Sequence, residues 1–193
     1  MRRLFMSIDT RVLDTRELVI FLSVSLYSPP RTDKNVYEEV ERGQFRIAIR
    51  HLAQVTALGC VDNAIISAGL DGHVRFITGF TFESQLPVIR CMAVNDDNIV
   101  LGGPDGAISV HDHNGRLQRH WEGHSEGTVY SVLWWNEILL TSSADSDLKA
   151  WNFAKGKSKS LARKGNLHED RVAGPSACVF ASYKSRNTIF AGV

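Results

Sequence analysis

The sequence predicts an all-β chain built from repeated, four-stranded antiparallel sheets, and three observations carry that prediction. First, three stretches align on an acid: "IISAGLDGHVRFI" (65–77), "IVLGGPDGAISVH" (99–111) and "LLTSSADSDLKAW" (139–151). Their acids, Asp71, Asp105 and Asp145, are 34 and then 40 residues apart, a period typical of stacked repeats. Second, each acid sits between an apolar run ending in small residues and an alternating apolar strand, the pattern of a hairpin. Third, helix-period patterning is nearly absent, whereas short apolar runs return at even spacing.

The elements follow in order. "ELVIFLSVSLY" (17–27) reads as a buried strand. Charged residues separate it from Arg2 and Arg3, no small-residue cleavage site follows, and its apolar run is too short to cross a bilayer as a helix. "DKNVYEEV" and "GQFRIAIRH", with Asp33 and His51 at either end, read as the last half of an earlier unit. Residues 1–44 otherwise match the repeat poorly; 45–193 carry it. Each unit opens with a first strand, "QVTALGC", "VIRCMAV" or "TVYSVLWW". The acid-centred hairpin supplies the second and third strands. Weaker runs, "FTFES" and "GRLQRHW", supply the fourth in units one and two. Asp-Gly suits the tight turn because glycine readily takes positive φ; unit three has Ser146 instead. The basic run "KGKSKSLARKG" (155–165) is expected as a loop after Trp151. "NLHEDRV" and "NTIFAGV" then look like the start of a further unit at His168 and its strand leading toward a turn acid.

Composition narrows the function classes. Hydrophobic residues make up 44% of the chain and the net charge is +1, which fits a folded domain with no global attraction to nucleic acid or anionic membrane. Cys60, Cys91 and Cys178 cannot all pair and show no metal-ligand spacing, so a reducing intracellular compartment, cytoplasm or nucleus, is expected.

Unit three reads "EGHSEGTVYSVLWWNEILLTSSADSDLKAWN" (122–152), and this resembles one repeat of the WD-repeat β-propeller family. Gly123-His124 match the family's opening, Asp145 its turn acid, and Trp151-Asn152 its Trp-Asp close, with Asn at the second position. The resemblance implies a hydrogen-bond network joining His124, Thr141, Asp145 and Trp151. In unit one it implies His51, Ser67 and Asp71, with Ile77 in the Trp place. Unit two retains only Asp105, with Leu101 and His111 at the hydroxyl and Trp places. A whole propeller has four to eight blades that close on themselves. Three recognisable units plus partial ones predict an incomplete propeller, finished by missing sequence or by another chain.

Several motifs invite sharper readings. "LGGPDG" (101–106) lacks the Lys-Ser/Thr of a phosphate loop and reads as a hairpin. "HDH" (111–113) and "HWEGH" (120–124) hold metal-ligand residue types, but His111 and His124 already have places in the repeat, and no metal or cofactor is expected. Trp134 and Trp135 must face opposite sides of their strand, so one belongs to the core. The Ser, His and Asp of unit three could pass for a catalytic triad, yet no strand-turn-helix nucleophile elbow accompanies them; no catalytic role is expected.

The expected function is a protein-interaction scaffold whose rigid blades present loops to a peptide or protein. The resemblance points to the residues before the turn acids, Leu70, Pro104 and Ala144, with Thr128 and Tyr130 beside the first strand of unit three. Alternatives are a ubiquitin-ligase substrate receptor, an RNA-processing or ribosome-assembly scaffold using the basic segment 155–164, and a propeller hydrolase. The first is weakened because the family's Trp-Asp-x-Arg ligase-docking pattern reads "WNFA" here.

Overall fold

A computed structural model of the chain describes residues 20–21, 34–41, 44–125, 127–135, 137–145, 147–152, 157–163, 181–185 and 188–192. All the regular elements among the described residues are strands. They are β1 (Ile20–Phe21), β2 (Asn35–Glu41), β3 (Gln44–Arg50), β4 (Val55–Val61), β5 (Ala64–Gly69), β6 (His73–Phe76), β7 (Thr81–Glu83), β8 (Cys91–Val94) and β9 (Asn98–Gly102). There follow β10 (Ala107–Asp112), β11 (Leu117–Glu122), β12 (Val129–Trp135), β13 (Ile138–Ser143), β14 (Asp147–Asn152), β15 (Lys157–Arg163), β16 (Ala181–Ser185) and β17 (Thr188–Gly192).

Three complete sheets emerge, each a four-stranded antiparallel meander: β4-β5-β6-β7, β8-β9-β10-β11 and β12-β13-β14-β15. Partial sheets flank them, β1-β2-β3 before and β16-β17 after. The first strands adjoin in order, β4 beside β8, β8 beside β12, and β12 beside β16. The sheets are therefore blades set around a common axis, and the described sheets do not close into a ring. Asp33, His168 and most of the 17–27 run lie outside the described residues.

The packing explains why the middle strands read as unbroken apolar runs. In β9, Ile99 and Leu101 join the cluster shared with blade one, while Val100 points the other way into the cluster shared with blade three. In β5, Ile66 and Ala68 face blade two while Ile65 packs with Val36, Ile49 and Val55 toward the preceding sheet. Successive side chains of a strand point to opposite faces, so a sheet covered on both faces requires apolar residues at consecutive positions. Each fully buried side chain of this size contributes about 1.5–3 kcal/mol.

One expectation needs correcting. The basic segment is not a loop: Lys157–Arg163 form β15, which pairs with β14 through Trp151↔Ser158 and Asp147↔Arg163. β15 is the outermost strand of its sheet, where Ser158 and Lys159 are exposed, and an outermost strand tolerates charge at its solvent edge.

Candidate functional site

The registers place all three acids alike. Ala68 opposes Val74, Gly102 opposes Ile108, and Ser142 opposes Leu148. Each pairing is centred on the acid, so Asp71, Asp105 and Asp145 each occupy the middle of a three-residue turn. In all three blades the turn lies at the same end, beside the approach to the next first strand.

In blade three the turn joins a closed polar chain. The Trp151 indole N–H donates to Thr141 Oγ1 at 2.8 Å. Thr141 in turn lies 2.8 Å from His124 Nε2, and His124 Nδ1 lies 3.0 Å from both carboxylate oxygens of Asp145. A carboxylate only accepts, so Nδ1 carries the imidazole hydrogen, Nε2 accepts, and the Thr141 hydroxyl donates to it. Every proton has one place. Asp145 also accepts the backbone N–H of Ser125 at 3.2 Å and of Asp147 at 2.9 Å.

Blade one repeats this without its last member. His51 Nδ1–H donates to Asp71 at 3.0 Å, and Ser67 donates to His51 Nε2 at 2.8 Å. The Leu52 N–H, one residue past the histidine as Ser125 is, donates to Asp71 at 2.8 Å. Ile77 stands in the Trp place and packs against the cluster of Val36, Ile49, Val55 and Ile65.

Electrostatics fit these assignments. Burial lowers the pKa of His51 and of His124, and outweighs the attraction of Asp71 and Asp145. Burial pushes Asp71 upward, but hydrogen bonds from His51 and the Leu52 N–H hold it below the usual carboxylate range. For Asp145, burial is likewise outweighed by the Asp147 N–H and by His124. Each pair is a neutral imidazole on an ionised carboxylate.

Blade two departs from the expected network. Asp105 is exposed, with its backbone in the left-handed region at φ 54°, and among the described residues it joins no histidine or hydroxyl. The reason is legible in its surroundings: the apolar Leu86 packs beside Gly103 where His51 packs beside Gly69 in blade one. With no imidazole to receive it, the carboxylate turns to water. His111, in the Trp place, is buried; its Nε2 lies 3.2 Å from Ser109 Oγ, and its Nδ1–H donates to the Gly115 carbonyl at 3.2 Å. Phe82 of blade one covers the ring, with centroids 5.0 Å apart.

Two features escaped the sequence reading. Arg75 and Lys149 both lie four residues after a turn acid. Arg75 pairs with Asp71 at 3.2 Å, and Lys149 donates to the Gly123 carbonyl at 2.8 Å. A base at that offset, in the two units that carry the histidine, was the available signal. The second is glycine placement between blades. Gly106 has φ 71° and accepts the Gly123 N–H at 2.8 Å, and a Cβ there would run into the His124 carbonyl oxygen. Gly123 is pressed between Ile108 and the rings of Trp121 and Trp151. The Gly-His opening thus fits where one blade docks on the turn of the last.

The candidate contact residues gather at the turn end. Leu70, Pro104, Ala144, Thr128 and Tyr130 are all half-buried. The Leu70 N–H donates to Gln54 O and the Ala144 N–H to Thr128 O, so the residue before each of these acids is fixed to the residue before the first strand. The other histidines scatter. His113 lies at the far end, 3.0 Å from Asn95 O, and His120 is exposed on β11. Trp134 packs in the cluster between blades two and three, and Trp135 is half-buried. No helix among the described residues is long and apolar enough to cross a membrane.

Comparisons with known proteins agree with this architecture. The WD40 β-propeller domain of Doa1 superposes with a TM-score of 0.70 at 21% identity, over 92% of this chain and 58% of that one. The computationally designed Ika8 protein gives 0.64 at 24%, over 93% of this chain and 53% of that one. The designed Ika4 protein gives 0.58 at 26%, over 72% and 86%. In sequence, the chain is 31% identical over 74 residues to Regulator of rDNA transcription protein 13 of Saccharomyces cerevisiae, covering 35% of this chain and 40% of that protein. No described protein family's sequence profile matches it. The fold is a WD40-like β-propeller, of which this chain forms a part.

Proposed function

We propose that the chain is a non-catalytic scaffold of the WD-repeat type that presents the turn end of its blades to a protein or peptide partner. The observation that carries this reading is the repeated placement of Leu70, Pro104 and Ala144. They are half-exposed, small or apolar side chains, each before a turn acid, at one end of three adjacent blades. Partly exposed apolar groups on a rigid frame suit a protein surface better than a phosphate backbone. The triad-like groups support the same reading from the other side. Thr141 is 1% exposed and already bonded to both Trp151 and His124, so its hydroxyl has neither access nor a free base. The compartment we assign is intracellular. Within it the nucleus is favoured by the similarity to a protein named for regulating rDNA transcription.

A photocrosslinking residue placed at position 144, and in parallel at Gln118 on the exposed outer strand β11, tests this in cells that express the whole chain. Protein adducts at 144 and none at 118 are expected. Adducts to RNA, or protein adducts at 118 alone, would contradict the assignment. Esterase activity that vanished in folded Thr141→Val would revive the hydrolase reading.

A further inference from the structure

The three turn acids are not used alike. Asp71 and Asp145 are spent inside the fold, each holding a histidine and backbone N–H groups. The bases four residues further on are spent as well, Arg75 on Asp71 and Lys149 on the Gly123 carbonyl. Asp105 has no such tie. It is exposed, and among the described residues its carboxylate pairs with no cation, Arg90 of the same blade included. The backbone changes with it. In blade one the Gly72 N–H donates to the Gly69 carbonyl at 3.1 Å, and the turn is centred on Leu70 and Asp71, with positive φ only at Gly72. In blade two the bond runs from the Ala107 N–H to the Pro104 carbonyl at 2.9 Å. Both central residues, Asp105 and Gly106, then have positive φ, 54° and 71°. This is the mirror-image turn, which Asn-Gly makes as well as Asp-Gly. The turn therefore needs a short polar side chain at 105, but not its charge.

The outward carboxylate is also firmly seated. The Gly106 N–H donates to the Gly127 carbonyl at 2.6 Å, and Gly127, with φ 80°, has no room for a Cβ beside Ala144. A fixed negative charge thus stands between half-buried Pro104 and the loop that leads to half-buried Ala144. We propose that Asp105 is the charged contact of the turn-end face, and that the partner segment seated between Pro104 and Ala144 carries a lysine or arginine that pairs with it. The inference rests on the scaffold reading and adds the partner's charge to it. An exposed ion pair contributes little affinity, but complementary charge fixes the register of a bound segment and rejects segments of the wrong sign. Asp105 is in this sense a selectivity residue: it admits a base flanked by apolar groups and repels an acid.

The test uses the photocrosslinking residue at position 144 of the whole chain in cells, alone or with Asp105→Asn, Asp105→Lys or Asp97→Asn. Far-UV circular dichroism of each purified variant checks the fold. Asparagine keeps the turn and removes only the charge. Asp97 is exposed in the turn between β8 and β9, at the opposite end of the same blade, so its substitution controls for the change in net charge. The yield of protein adducts should fall about 3-fold in Asp105→Asn and about 10-fold in Asp105→Lys, and stay level in Asp97→Asn. Equal yields in both Asp105 variants, or an equal fall in Asp97→Asn, would overturn the inference. So would a loss confined to Asp105→Lys, which would show only that a lysine is excluded there. Adducts indifferent to Asp105 would remove this inference and leave the scaffold reading standing. A chain that gave no protein adducts even without these substitutions would remove both.

Discussion

Replacing Thr141 by valine removes one hydroxyl and nearly nothing else, and the structure says what that hydroxyl holds. It accepts the Trp151 indole N–H at 2.8 Å and donates to His124 Nε2 at 2.8 Å. His124 is 3% exposed, so water does not readily replace the lost partner. A buried polar group left without a partner costs about 1–3 kcal/mol, and two are left here, so the substitution should cost about 2–6 kcal/mol. Ser67→Ala in blade one provides the comparison. Ser67 serves His51, but Ile77 stands where the indole would be, so that change strands one group and should cost about 1–3 kcal/mol. Urea unfolding followed by far-UV circular dichroism at fixed protein concentration reads both from the midpoint and slope. Adding Trp151→Phe to each Thr141 background completes a double-mutant cycle, with a coupling of about 1 kcal/mol or more expected for the Trp–Thr pair. A Thr141→Val cost equal to or below that of Ser67→Ala, or a coupling near zero, would refute the view that the chain of four is a single unit.

Other expectations follow from the same geometry. Gly106→Ala should destabilise by about 2–4 kcal/mol, because a positive φ and the His124 carbonyl oppose it together; Gly79→Ala, also at positive φ but with open space around it, should cost only about 1 kcal/mol. Thermal scans across pH should show falling stability on acidification. His51 and His124 have folded pKa values below the 6.5 of the free side chain, so the unfolded chain takes up protons first and stability drains as pH falls below that value. Asp71 and Asp145, held below 3.8, contribute stability that is present above that value and lost as pH falls through their folded pKa. A melting temperature flat between neutrality and pH 5, or a slope unchanged in His51→Gln/His124→Gln, would contradict this. Finally, in a Cys178→Ser background a maleimide should label exposed Cys60 rapidly, and Cys91 only on unfolding. Cys91 is buried, which raises its thiol pKa to about 12, and the thiolate is the reactive form.

What the sequence makes legible depends on which side chains each blade retains. Unit three carries an imidazole, a hydroxyl, a carboxylate and an indole at the repeat's offsets, so the resemblance to the WD-repeat family already implied that they meet. Unit two could not be read that way. That unit two keeps only the acid at position 105 was visible in the sequence; that Leu86 fills the histidine's place and leaves the carboxylate exposed needed the structure. The basic stretch 157–163 misled for a different reason: lysines in sequence read as a loop, whereas an outermost strand tolerates charge on its solvent side. The ties made by Arg75 and Lys149 were visible only as an offset shared by two units. Which end of the blades presents Leu70, Pro104 and Ala144 became clear only once the registers centred all three acids in their turns.

The protonation of the two buried imidazoles, His51 and His124, is the most direct test of the polar bracing. Long-range proton–nitrogen correlation on the selectively labelled histidines reads it at neutral pH. His51 and His124 should both be neutral with the hydrogen on Nδ1, protected from exchange by their carboxylates. Imidazolium at that pH, or the hydrogen on Nε2, would contradict the network that braces the blades.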